Sequence, residues 1–330
     1  MDRLHLGAVE QRSIFWESGK ESPRTLGIAD LPSLADTDGL LWLDLVAPAQ
    51  EDLAALGKAV NLDVHTLEDA LAPHERPKII HLGTYAFLAT YTLRFTDNRV
   101  VASRISAYIL PNALITIRLA DDYDMAPIVE RWRQDPHLVQ WRARGLLQGL
   151  MDVLVDDQFD ILETLDTATD DLTRRLFADR PDIKEIQTQT FLLRGQLAAL
   201  HRVIPQTRDI VASVLRQSLA SDWGLELRAY WEDVNDHILR ASEWVDALRD
   251  LDASIFEASL ALNDSRMNEV MKKLAAWAAI IAVPTLITGW FGQNVPYPGF
   301  SEPLGLGLAA GLIVVAVAIL FVIFKKNDWL

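Results

Sequence analysis

AAWAAIIAVPTLITGWF at residues 275–291 and LGLGLAAGLIVVAVAILFVIF at residues 304–324 contain no charged side chain, and GQNVPYPGFSEP at 292–303 joins them. A helix needs roughly 20 residues to cross a hydrocarbon core. The second run is 21 residues long; the first has 17 but continues a helical pattern from upstream. The pair therefore reads as a membrane hairpin. Its twelve-residue connection is too short to form a domain, so it is expected to be a turn at the pore mouth or on the far side of the membrane.

The flanks give the orientation. Arg266, Lys272 and Lys273 precede the first run, Lys325 and Lys326 follow the second, and the connection has neither Lys nor Arg. The positive-inside rule then places both termini in the cytoplasm and the turn outside an inner or plasma membrane. The opening MDRLHLGAVEQRS lacks the apolar core of a signal peptide. The absence of cysteine rules out disulfides and thiolate metal sites. The formal net charge of −15, from 46 acidic and 31 basic residues, falls outside the two runs. Such an acidic surface repels nucleic acid and concentrates cations, although acidity also serves plain solubility.

Upstream, β-rich runs appear at Leu40 to Val46, Tyr85 to Phe95, Val100 to Leu110 and Ala113 to Leu119, with Asp97-Asn98 as a turn and a helix around Ala49 to Val60. These place an α/β domain in residues 1–145. Apolar residues then recur at helical spacing from about Leu146 to Phe177 and from Ile183 to Leu219, broken by Asp179-Arg180-Pro181-Asp182, so residues 146–222 should form a helical hairpin. No proline follows Leu225 until Pro284. Residues 223–291 are expected to hold one helix from Leu225 to Phe291, roughly 100 Å long, whose end is the first membrane span. A helix of that length needs neighbours along it, and two spans cannot enclose an ion path alone. Both points call for an oligomer. The remaining segments are the connection 292–303, the second span 304–324 and a basic tail 325–330.

Asn268, Met271, Leu274, Ala278, Ala282, Thr285, Gly289 and Gly292 follow one another by three or four residues and form a single stripe on the long helix. It offers an amide and bulky apolar residues at its cytoplasmic end, then small residues and a hydroxyl, and leads to Asn294. Small residues suit close helix packing. They suit a pore as well, with Met271 and Leu274 closing by dewetting and the neutral oxygen of Asn294 at the exit.

Together, Asn268-Glu269-Val270-Met271-Lys272, Pro284-Thr285-Leu286-Ile287-Thr288-Gly289, Phe291-Gly292-Gln293-Asn294 and the ending Lys325-Lys326-Asn327-Asp328-Trp329-Leu330 resemble the CorA family of divalent cation transporters. Tyr230 to His237 resembles that family's stalk signature, and Leu67-Glu68-Asp69 with Arg76-Pro77-Lys78 resembles its N-terminal domain. The resemblance implies a funnel-shaped homopentamer of an α+β membrane protein, with a cytosolic α/β domain, a helical hairpin, a very long pore-lining helix and two transmembrane helices per chain. It implies a Gly-Met-Asn mouth that meets magnesium with its water shell intact, which suits an ion that dehydrates reluctantly. Here Gly292, Gln293 and Asn294 occupy those positions, and Gln293 departs from the Met.

The resemblance further implies closure when cytosolic magnesium bridges carboxylates between subunits. Asp233 matches the stalk carboxylate, Asp97 is the expected partner from the α/β domain, and Glu257 is a further candidate on the pore side. Asp233 also reads as a solvated helix-surface acid. Magnesium is then both cargo and regulator, with cobalt (Co2+) or nickel (Ni2+) as passengers and membrane lipid as surroundings.

No Gly-rich phosphate loop, hydrolase elbow or zinc-spaced histidine pair is present, so the chain reads as a transporter and not as an enzyme. Entry would follow the membrane potential, which is worth about 2.3 kcal/mol per charge per 100 mV. Two other readings stay open. One is a proton-coupled zinc (Zn2+) transporter of the ZntB branch, which also varies the middle residue of the mouth motif; the other is a membrane-anchored cation sensor that transports nothing. Trp290, Phe291 and Trp329 suit interfacial anchoring or packing between subunits.

Overall fold

The computed structural model describes residues 3–6, 9–34, 37–73, 75–220, 223–293, 296, 300 and 303–330. In chain order the elements are β1 (Arg3–Leu6), β2 (Val9–Glu17), β3 (Lys20–Ser22), α1 (Leu31–Leu34), β4 (Leu40–Val46), α2 (Gln50–Val60), α3 (Val64–Leu71), β5 (Lys78–Leu82), β6 (Tyr85–Thr96), β7 (Arg99–Ile109), β8 (Ala113–Arg118), α4 (Ala126–Gln134), α5 (Pro136–Gln140), α6 (Arg142–Leu176), α7 (Ile183–Ala220), α8 (Leu225–Phe291) and α9 (Pro303–Lys326). Two compact units result. The first comprises Met1–Phe177 and Thr188–Ala253, and the second Ala178–Gln187 and Ser254–Leu330.

In the first unit the strands form one sheet in the order β1-β2-β4-β8-β7-β6-β5, with β3 on β2. Among the described strands only β4 and β8 pair in parallel. Every residue of both strands is buried, as expected of central strands covered on two faces. On one face Leu41, Leu43, Leu45, Ile115 and Ile117 pack with Leu53 and Leu56 of α2. On the other, α6 crosses β4, β6, β7 and β8. There Trp42 meets Trp132 of α4 edge-on at 5.2 Å and donates its indole N–H to Thr116 at 3.1 Å.

The sequence reading located β4, β6, β7, β8, α2 and the long helices; it did not foresee β1, β2, β3, β5, α1 or α3 to α5. β2 is hidden because its buried positions include Gln11, Arg12 and Ser13, which break the apolar alternation. The charges of Arg12, Asp44 and Arg118 are paired inside the sheet, while Gln11 Oε1 and Ser13 Oγ are buried without a hydrogen-bond partner. Asp44 Oδ2 accepts from Arg118 Nη2 at 2.6 Å and Oδ1 accepts from Thr116 at 2.7 Å, and Asp121 joins Arg118 at 2.9 Å to Arg12 at 2.6 Å. Burial opposes the charge on Arg118, yet Asp44 and Asp121 overcome it and hold the guanidinium above its ordinary pKa.

A second buried acid is less well matched. Asp252 of α8 accepts from Arg194 of α7 at 3.0 Å, while its Oδ1 is buried without a hydrogen-bond partner. Burial pushes this carboxyl above the usual range, and Arg194 offsets the effect only in part. Because the folded pKa is raised, folding favours the protonated form: the contribution is complete below the unfolded value near 3.8 and is lost as pH rises through the folded value. Asp252→Asn stays neutral throughout. It is expected to match or exceed native stability at pH 7, within about 1 kcal/mol, and to lack this loss of stability, as read from thermal unfolding at pH 4.5 and 7.

Candidate functional site

α8 spans Leu225–Phe291, the 67 residues expected from the sequence, and carries Pro284 in its interior. Two of the described helices are long and apolar enough to cross a membrane, α8 and α9. Within the second unit the membrane end of α8 has one sheltered edge: Ala276 and Ile280 are buried, and Val283, Ile287 and Phe291 are half-buried. The helix advances about 100° per residue. Ala278 therefore lies about 200° from both Ala276 and Ile280, and the stripe Asn268, Met271, Leu274, Ala278, Ala282, Thr285, Gly289 and Gly292 runs along the side opposite the sheltered edge. All eight residues are exposed in the single chain, Met271 at 62% and Leu274 at 70%.

The polar groups on this side are already oriented. Thr285 donates its hydroxyl to the Ile281 carbonyl at 3.0 Å, so the lone pairs on its oxygen are what it offers to a ligand. Past the helix end, the Gly292 N–H continues the turn to the Thr288 carbonyl at 2.8 Å, and the Gln293 N–H reaches the Trp290 carbonyl at 3.3 Å. Gly292 and Gln293 are both exposed. Asn294, the expected outer oxygen, lies outside the described residues. At the other membrane boundary Trp329 turns back and stacks on Phe324 at 5.5 Å and 17°, so its ring rests on its own helix.

Asp97 and Asn98 hold φ of 51° and 62° and close the β6–β7 hairpin, as a primed two-residue turn requires. Asp97 lines a cleft of about 590 Å³ together with Asp171, Arg175 and Gln196, and Gln196 donates to the Asn98 carbonyl at 2.7 Å. Asp233 is exposed beside His237, whose ring nitrogens lie 4.0 Å from Asp233 and 4.0 Å from Asp156 of α6. Fifteen residues of α6 separate Asp156 from Asp171, a rise of about 22 Å. Within one chain, then, Asp97 and Asp233 are not brought together. Glu257 is exposed on α8 in the second unit. Among the described residues no three His, Asp or Glu side chains converge to hold a metal ion.

Asp156, Asp44 and Arg118 were not singled out from sequence. The i, i+4 spacing of Asp156 and Asp160 on α6 was an available signal for an acidic face. Nothing local signals the pairing of Asp44 with Arg118, which are 74 residues apart.

The family described as "CorA-like Mg2+ transporter protein" matches residues 37–326. A cobalt/magnesium transport protein CorA of Thermotoga maritima is 27% identical over 314 residues, covering 93% of this chain and 88% of that protein. The complete structure of the CorA magnesium transporter from Methanocaldococcus jannaschii superposes with a TM-score of 0.77 at 24% identity, over 96% of this chain and 98% of that one. The full-length CmaX structure gives 0.72 at 20% identity, over 96% and 97%. Both superpositions establish a shared fold.

Proposed function

The chain belongs to the CorA-like Mg2+ transporter family, and from that premise we propose that it forms a funnel-shaped homopentameric channel for divalent cations, above all magnesium, in the inner or plasma membrane with both termini cytoplasmic. The observation that carries the pore assignment is the stripe from Asn268 to Gly292, exposed along its length and opposite the sheltered edge of α8. Five such stripes facing one axis give an apolar constriction at Met271 and Leu274, then an acceptor oxygen at Thr285, and Gly292, Gln293 and Asn294 at the mouth. Magnesium keeps its water there, because neutral oxygens hydrogen-bond to the hydrated ion without stripping it.

Closure by cytosolic magnesium is assigned to Asp233 and Asp97 of neighbouring subunits, with Glu257 as an added carboxylate. The separation of Asp97 from Asp233 along α6 supports an intersubunit site. A cation that relieves repulsion between carboxylates favours whichever assembly brings them close. The relative named a cobalt/magnesium transport protein supports cobalt as a second passenger.

The testing experiment is uptake by proteoliposomes carrying dyes for magnesium and zinc, with and without an imposed pH gradient. Magnesium entry without a proton gradient, slowed by magnesium on the cytosolic side, is the expected result. Zinc entry driven by protons would move the chain to ZntB-type transport, and entry of neither ion would leave a sensor. In the same assay Leu274→Gly is expected to raise resting leak several-fold, since a dewetted constriction depends on bulky apolar walls; unchanged leak would place the gate elsewhere.

A further inference from the structure

The start of α6, the β5–β6 hairpin, the β7–β8 turn and the last turn of α7 enclose a cleft of about 650 Å³ within the first unit, a size ordinary for small-molecule sites. Its chemistry is the reverse of the rest of the molecule. In a chain with 46 acidic residues, no Asp or Glu among the described residues lines it, whereas Arg142, Arg144 and His81 do. Arg144 lies with its guanidinium 4.9 Å from the Trp223 ring centre, and no carboxylate pairs with it among the described residues. Stacking on the indole leaves the in-plane N–H groups of Arg144 available.

Three further polar atoms here are buried without a partner: Arg142 Nε, Trp223 Nε1 and Gln217 Oε1. Native structures rarely leave such groups unmatched. Arg142 is held in place from outside, by Asp38 at 3.0 Å and by the Gly39 carbonyl at 3.3 Å, and its backbone adopts φ of 59° where α6 begins. A left-handed conformation at a residue with a long side chain is uncommon and is maintained only where its surroundings require it.

We propose that this cleft binds a small phosphorylated ligand, with the phosphate held by Arg144, Arg142 Nε and the Trp223 indole N–H, and with Gln217 accepting from the rest of the molecule. A guanidinium fork matches phosphate oxygens two at a time, and an indole can only donate. A hydrated cation is disfavoured, because the two arginines repel it. The cleft is therefore separate in kind from the ion path.

The test is calorimetric titration of the full-length protein in detergent, free of magnesium, with inorganic phosphate and with adenosine monophosphate. Saturable binding is expected. Arg144→Gln, an exposed substitution, should weaken it about tenfold or more, and Arg144→Lys should fall between, since an ammonium keeps the charge but not the fork. Tighter binding of the nucleotide identifies an organic phosphate, and equal binding identifies free phosphate. No saturable binding of either up to about 1 mM, or undiminished binding by an Arg144→Gln protein whose thermal unfolding matches the native protein, overturns the proposal.

Discussion

Asn294→Ala is expected to lower magnesium entry into proteoliposomes by well over tenfold while leaving the protein folded and inserted. In the homopentamer proposed here, the substitution removes five side-chain amide oxygens at once from the outer mouth. Each hydrogen bond from ion-bound water to such an oxygen contributes about 0.5–1.5 kcal/mol net, and tenfold corresponds to about 1.4 kcal/mol. Loss of even two or three contacts per ion is enough. The backbone N–H groups of Gly292 and Gln293 are engaged with the Thr288 and Trp290 carbonyls, so the acceptors left at the mouth are the carbonyls and the Gln293 amide, which do not occupy the Asn294 position. Asn294→Gln, which keeps the oxygen but moves it by one methylene, should retain part of the flux. Equal entry in the native protein and Asn294→Ala would remove the mouth from the mechanism and favour a chain that senses cations without passing them.

The second large effect lies in the first unit. Asp44→Ala should destabilise it by about 3–5 kcal/mol, the usual consequence of leaving a buried charge without its partner. Asp44 is fully buried and takes three of the hydrogen bonds donated by Arg118, together with that of Thr116. After substitution Arg118 keeps only Asp121 and the Tyr123 carbonyl, at 2.9 and 2.8 Å. The readout is thermal or denaturant unfolding of the purified protein. Asp44→Ala with Arg118→Leu should recover part of the loss, because an apolar replacement of both partners removes the orphaned charge; a double variant worse than the single one would contradict this account.

The sequence was most legible where a single physical constraint acted over a long stretch. α8 was readable from end to end because no proline interrupts Leu225 to Val283 and because hydropathy carries the pattern into the membrane. The stripe of Asn268 to Gly292 was readable for the same reason, and the sheltered edge at Ala276 and Ile280 lies on the opposite side of the helix. β2 was not legible, since Gln11, Arg12 and Ser13 are polar residues inside a strand and their burial makes sense only beside Asp121 and β4. The arginine cleft was invisible because it gathers His81, Asn112, Arg144 and Gln217 from four separate stretches of chain. The outer mouth shows the limit in the other direction: Asn294 stands out in the sequence through a motif, and it falls outside the described residues.

The lone parallel pairing of β4 with β8 joins residues 41–46 to 113–118 across the whole of the intervening chain. Closing so large a loop costs entropy before the pairing returns anything, whereas β5 to β8 can assemble as neighbouring hairpins. Topology of this kind slows folding, and loop entropy leads us to expect that the hairpins form before the seam holding Asp44 against Arg118 closes. A substitution in a late-forming contact appears mainly in the escape rate from the native state. Asp44→Ala should therefore shorten the lifetime of the folded protein far more than it delays its formation.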